Sequence, residues 1–82
     1  MKTLFIDGAD RAICGMVERC GQVPIVIYDH KKLVSHFIKK GMSHDESQEW
    51  IDFNILGAWL GEGTPGIMFS GNSKSIRDQL ND

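Results

Sequence analysis

The chain has 82 residues, a formal net charge of −2, and 41% apolar and 24% charged side chains. That length holds one domain, and the composition is globular, not disordered. No stretch approaches the roughly 18–20 apolar residues of a membrane span, and the slight negative charge argues against direct nucleic-acid binding, which needs Lys and Arg clustered on one face. The first residues carry one lysine and too short an apolar run for a secretory signal, so a cytoplasmic location is expected. A domain this small buries only about 60–65% of the surface its unfolded chain exposes. A homodimer would enlarge the core, an expectation from size alone.

Thr3 to Ile6 reads as an edge strand or an extended arm, followed by Asp7-Gly8 as a turn. Ala12 to Cys20 alternates imperfectly, so a strand with a bulge at Gly15 competes with a helix. Val23 to Tyr28 is the clearest strand, β-branched and aromatic, and expected to be buried on both faces. Pro24 fits only near its start, and the two segments make a hairpin turning at Gly21. Asp29 then stands as the N-cap of a helix of about three turns, with Leu33, Val34, Phe37 and Ile38 as its apolar stripe. Lys39 and Lys40 suit its negative end, and Gly41 is the stop.

Ser43 to Glu46 spells a capping box, with Met42 as a staple before it. The second helix is expected from His44 to about Leu60, its later half apolar nearly all round and therefore buried by the sheet, by the first helix or by another subunit. Gly61-Glu62-Gly63-Thr64-Pro65 breaks it, and Gly66 to Ser70 returns as a strand. After Gly71-Asn72, Ile76 and Leu80 stand four apart on a short terminal helix or a frayed tail. The fold class is α+β, a small antiparallel β-sheet packed against a helical hairpin. It forms one domain over 1–82, with a core of about 12–69 and flexible ends at 1–11 and 71–82.

Cys14 and Cys20, if in one strand, stand about 20 Å apart, beyond disulfide reach. Two buried, reduced thiols are the expectation. His30, His36 and His44 lack ligand spacing, since His30 and His36 fall on opposite helical faces. Neither a metal site nor a cofactor is expected. The glycine-rich bend follows a helix and carries an acid and no lysine, so it lacks the field of a phosphate loop. No nucleophile or base stands at a diagnostic offset, and the chain reads as a non-enzyme.

Charge is segregated. Lys31 to Lys40 holds four lysines and no acid, whereas Asp45 to Glu62 holds five acids and no lysine or arginine. Helix dipoles account for much of this. The functional reading is an acidic contact face for a basic protein partner, carried by Asp45, Glu46, Glu49, Asp52, Glu62 and the anchor Trp59. The alternative is a pocket of Glu49, Asn54, Glu62 and Thr64 serving a small ligand, a metal or a minimal enzyme. Asn54, between Phe53 and Ile55, would have to find partners if buried.

Tyr28-Asp29, Gly41-Met42-Ser43, Glu49, Phe53-Asn54, Gly57-Ala58-Trp59 and Gly61-Glu62-Gly63-Thr64-Pro65 together form a recognisable series. It resembles a group of small uncharacterised proteins of tailed-phage and prophage genomes, over about residues 12 to 69, and departs from it slightly at Gln22-Val23. The resemblance implies a phage setting, hence the host cytoplasm, and brings no mechanism. In that setting the expected function is that of a small acidic accessory protein that inhibits a host enzyme or a defence complex. A virion or assembly component is the further alternative.

Overall fold

A computed structural model of the protein describes residues 2–81; Met1 and Asp82, the extremes of the expected arm and tail, lie outside it. The run after Pro24 becomes the central strand. β2 (Ile25–Asp29) pairs antiparallel with β1 (Ile13–Val17) and parallel with β3 (Gly66–Met68), in the order β1-β2-β3. β1 is shorter than the expected 12–20. Its register passes from Ile13 opposite Tyr28 to Gly15 opposite Ile27, leaving Cys14 as the extra residue of a bulge beside the glycine. The hairpin turns where Gln22 N–H donates to the Arg19 carbonyl across Cys20-Gly21.

The sheet is therefore mixed, and connection length explains the difference from an all-antiparallel one. Residues 18–24 suffice for a hairpin, whereas the path from Asp29 to Gly66 passes through two helices, the long crossover that parallel strands require. β2 alternates between wholly and partly buried residues: Val26 and Tyr28 enter the core, while Ile25 and Ile27 remain half-exposed. The expectation of burial on both faces is corrected accordingly. One face is covered by helices and the other has no layer to cover it. Cys14, on the edge strand, and Cys20, in the hairpin turn, are free and exposed, and the expectation of buried thiols fails.

Asp29 ends β2 and caps α1 (His30–Lys39), its carboxylate accepting from Lys32 N–H at 2.9 Å. Leu33, Val34 and Phe37 enter the core, and Ile38 stays partly out. Gly41 N–H bonds to the Ile38 carbonyl and Met42 N–H to that of Phe37, with Gly41 at φ 108°, a conformation that costs glycine little. Ser43 then opens α2 (His44–Ile51) with the expected capping box, its hydroxyl accepting from Glu46 N–H while the Glu46 carboxylate accepts from Ser43 N–H.

The second helix does not continue as an α-helix to Leu60. After Ile51 it widens into one π-helical turn, Asp52–Leu56, closed by Gly57 N–H donating to the Asp52 carbonyl five residues back. Residues 58–60 are irregular. Ile51 and Ile55 remain buried, but the apolar residues between and after them do not.

The N-terminal arm, expected outside the core, is tied to the domain at three points. Thr3 Oγ1 donates to the Pro24 carbonyl, Leu4 N–H to Gly63, and Ile6 N–H to the Tyr28 phenol oxygen. Ala9 and Ala12 are wholly buried around a single 3₁₀ turn, Asp10–Ala12. At the other end α3 (Ser73–Leu80) forms as the terminal helix, capped by Asn72, and buries no residue fully.

Candidate functional site

Three contacts orient α2. Phe37 and Trp50 pack with ring centroids 4.4 Å apart, joining α1 to α2. Ser47, the one buried polar residue among the described residues, donates its hydroxyl to the Val34 carbonyl at 2.9 Å. Ile51 is wholly buried a turn further on. With Ser47 and Ile51 turned inward, Asp45, Glu46, Glu49 and Asp52 are all exposed. Among the described residues the single ion pair is His44 with Asp45 at 3.8 Å, so the other three acids have no cationic partner. Glu46 is held below its ordinary carboxylate pKa by the Ser43 backbone and hydroxyl bonds of the cap.

The apolar half of the expected helix is where sequence and structure part. Phe53 is 81% exposed, Trp59 74% and Leu60 68%, with Leu56 about half exposed. Phe53 and Leu56 lie in the π turn, which changes the angular step per residue, and Trp59 and Leu60 in the irregular stretch after it, so side chains that a continued α-helix would bury face outward. Met42, Glu46, Glu49, Trp50, Phe53 and Asn54 line a groove of about 410 Å³ that sets two aromatic rings beside two carboxylates. A second groove of about 250 Å³ includes Leu56, Trp59 and Glu62.

The expected partner residues thus divide. Glu46 and Glu49 line the first groove and Trp59 and Glu62 the second, while Asp45 and Asp52 are exposed on the same helical stretch and line neither. Phe53 and Leu60 are exposed on this stretch although helical spacing gave them to the interior, while Met42 lines the first groove and still packs against the core. Phe53 was legible only as a residue followed by Asn54-Ile55-Leu56-Gly57, a run with a helix-stopping glycine close behind it.

Glu49, Asn54, Glu62 and Thr64 are not brought to one place. Glu49 and Asn54 share the first groove, Glu62 and Thr64 the second, and Asn54 and Thr64 a smaller pocket of about 70 Å³; the two glutamates share none. Asn54 donates to the Trp50 carbonyl at 3.0 Å; Thr64 accepts from Leu60 N–H and donates to the Gly61 carbonyl. Both side chains are thereby bonded to backbone around the helix end and the bend. Among the described residues no three of His, Cys, Asp and Glu gather as a metal-binding group, and no buried side-chain nitrogen or oxygen lacks a partner.

The fold and this surface define a small α+β domain that presents an acidic, aromatic-bearing helix end. No helix among the described residues is long and apolar enough to cross a membrane. Comparison with protein-family models, curated proteins and solved structures finds no match to this chain.

Proposed function

We propose that the domain acts by binding another protein through the end of α2, with Phe53 and Trp59 as anchors and Glu46, Glu49 and Glu62 as the charged border. The partner is a basic surface with an apolar recess. The observation that carries this reading is the coincidence, on one stretch of chain, of large uncovered apolar side chains and acids without cationic partners. Interfaces draw their energy from such aromatic anchors and their speed and register from the surrounding charge. The concrete form, supported by the resemblance of the sequence to phage proteins, is an accessory protein that inhibits a host enzyme or a defence complex in the host cytoplasm.

The test is capture of partners on the immobilised chain, comparing wild type with Phe53→Ser, Trp59→Ser and Glu49→Lys. A specific partner retained by wild type, lost with either aromatic and weakened by Glu49→Lys and by salt is the expected result. Two results would sink the reading: a partner indifferent to all three changes, or a homodimer whose own interface occupies Phe53 and Trp59.

A further inference from the structure

A third groove has the opposite character. It lies between the 3₁₀ turn and α1, has a volume of about 320 Å³, and is lined by Arg11, Lys31, Lys32, Ser35, His36 and Lys39. No carboxylate lines it, and none of its four full cations has an ion-pair partner among the described residues. The cluster is built by folding. Ala9 and Ala12, both wholly buried, pin the turn against the domain and bring Arg11 to the helix.

Lys31 and Lys32 occupy the first turn of α1, the end of the helix dipole that disfavours cations; the one acid at that end, the N-cap Asp29, binds Lys32 N–H with its carboxylate and forms no ion pair with either lysine. Four like charges thus converge without neutralisation, and two stand against the local field. A fold that violates local electrostatics at one place, and satisfies it with the lysines at the far end of the same helix, marks that place as serving a ligand. The missing partner is a multivalent anion. Guanidinium and ammonium groups beside a hydroxyl donor suit phosphate oxygens, Arg by a forked pair of bonds and Lys as a point charge.

We propose that this groove binds a compact oligophosphate, either free or as the di- or triphosphate of a nucleotide. Two observations favour a compact ligand over a nucleic-acid strand. The lining offers only the His36 ring and the Arg11 guanidinium as stacking surfaces and no Phe, Tyr or Trp, too little for a run of successive bases. The rest of the molecule is acidic enough to bring the net charge to −2, so a long polyanion meets repulsion outside the groove. The site shares no lining residue with the two grooves of the α2 surface and stands or falls separately from it.

The test is titration of the full chain with sodium tripolyphosphate at physiological salt, followed by amide NMR. Saturable shifts confined to Arg11, Ala12 and residues 31–39, with a Kd below about 1 mM, are expected. Lys32→Gln combined with Lys39→Gln is expected to weaken binding at least about tenfold, whereas Lys74→Gln leaves it unchanged; unshifted spectra elsewhere establish that each variant folds. ATP binding as tightly as tripolyphosphate identifies the phosphates as the recognised group, tighter binding adds the nucleoside, and adenosine alone is expected not to bind. Absence of saturation, or equal shifts at Lys2, Lys74 and Arg77, would overturn the site. A single-stranded oligonucleotide that fills the groove more tightly than tripolyphosphate would overturn the compact ligand.

Discussion

Tyr28 serves the core and the N-terminal arm together. Its ring is wholly buried, and its phenol oxygen accepts the Ile6 N–H at 2.8 Å, so one residue fills the core and holds the arm. Tyr28→Phe keeps the ring and removes the acceptor. The stranded, part-buried amide is expected to cost about 1–2 kcal/mol, read as a lower urea midpoint and faster hydrogen exchange at Ile6. Unchanged exchange there would mean that the bond contributes nothing. Glu46 supplies the pH dependence. Its folded pKa lies below its unfolded value, so its cap bonds stabilise fully above the unfolded glutamate range and are lost as pH falls through the lowered folded value. An NMR titration of the Glu46 carboxyl, with Ser43 amide shifts following the same curve, checks the sign; a midpoint at or above that of the other exposed glutamates would refute it.

At the scale of elements, the glycine-rich bend has a sharper task than helix termination. A Cβ on Gly63 would overlap the Lys2 carbonyl, because the arm crosses there and Leu4 N–H bonds to the Gly63 carbonyl at 3.0 Å. Gly63→Ala is therefore expected to push the arm off and cost roughly 1–3 kcal/mol. Gly15→Ala, whose Cβ meets nothing within 4 Å, is expected to stay within about 0.5 kcal/mol. Paired denaturation curves decide the matter, and equal effects at the two positions would remove the packing explanation. The helical pair obeys its local signals closely at its starts: Asp29 and Ser43 both cap where their sequence contexts place them. It departs from them where Gly57 bonds five residues back and opens the π turn.

Over the whole molecule, charge and apolar surface are distributed to separate purposes. α2 and the following turn carry unpaired acids beside exposed aromatics, while α1 and the 3₁₀ turn gather unpaired cations. If Phe53 and Trp59 belong to a contact surface and not to the core, removing them leaves folding nearly untouched. Phe53→Ser and Trp59→Ser are each expected to shift stability by no more than about 0.5 kcal/mol. Ile51→Ala, in the core, is expected to cost about 2–5 kcal/mol. A loss at Phe53 comparable to that at Ile51 would return the aromatic to the interior and remove the binding surface.

The caps at Asp29 and Ser43, the stop at Gly41, the strand after Pro24 and the hairpin at Gly21 were all legible in the residues, because each is decided within a few positions by hydrogen-bond chemistry and allowed φ. The acids of α2 were legible as a face because helical spacing fixes their direction. The groove of Arg11 with Lys31 and Lys39 was not, since it joins residues from two elements whose approach depends on two buried alanines. Nor was the exposure of Phe53, although Trp59 beside the glycines was legible as an anchor. Periodicity can report how apolar a helix is, but whether another layer covers it depends on where the chain ends up, and here the π turn and the crossover to a parallel β3 leave that end uncovered.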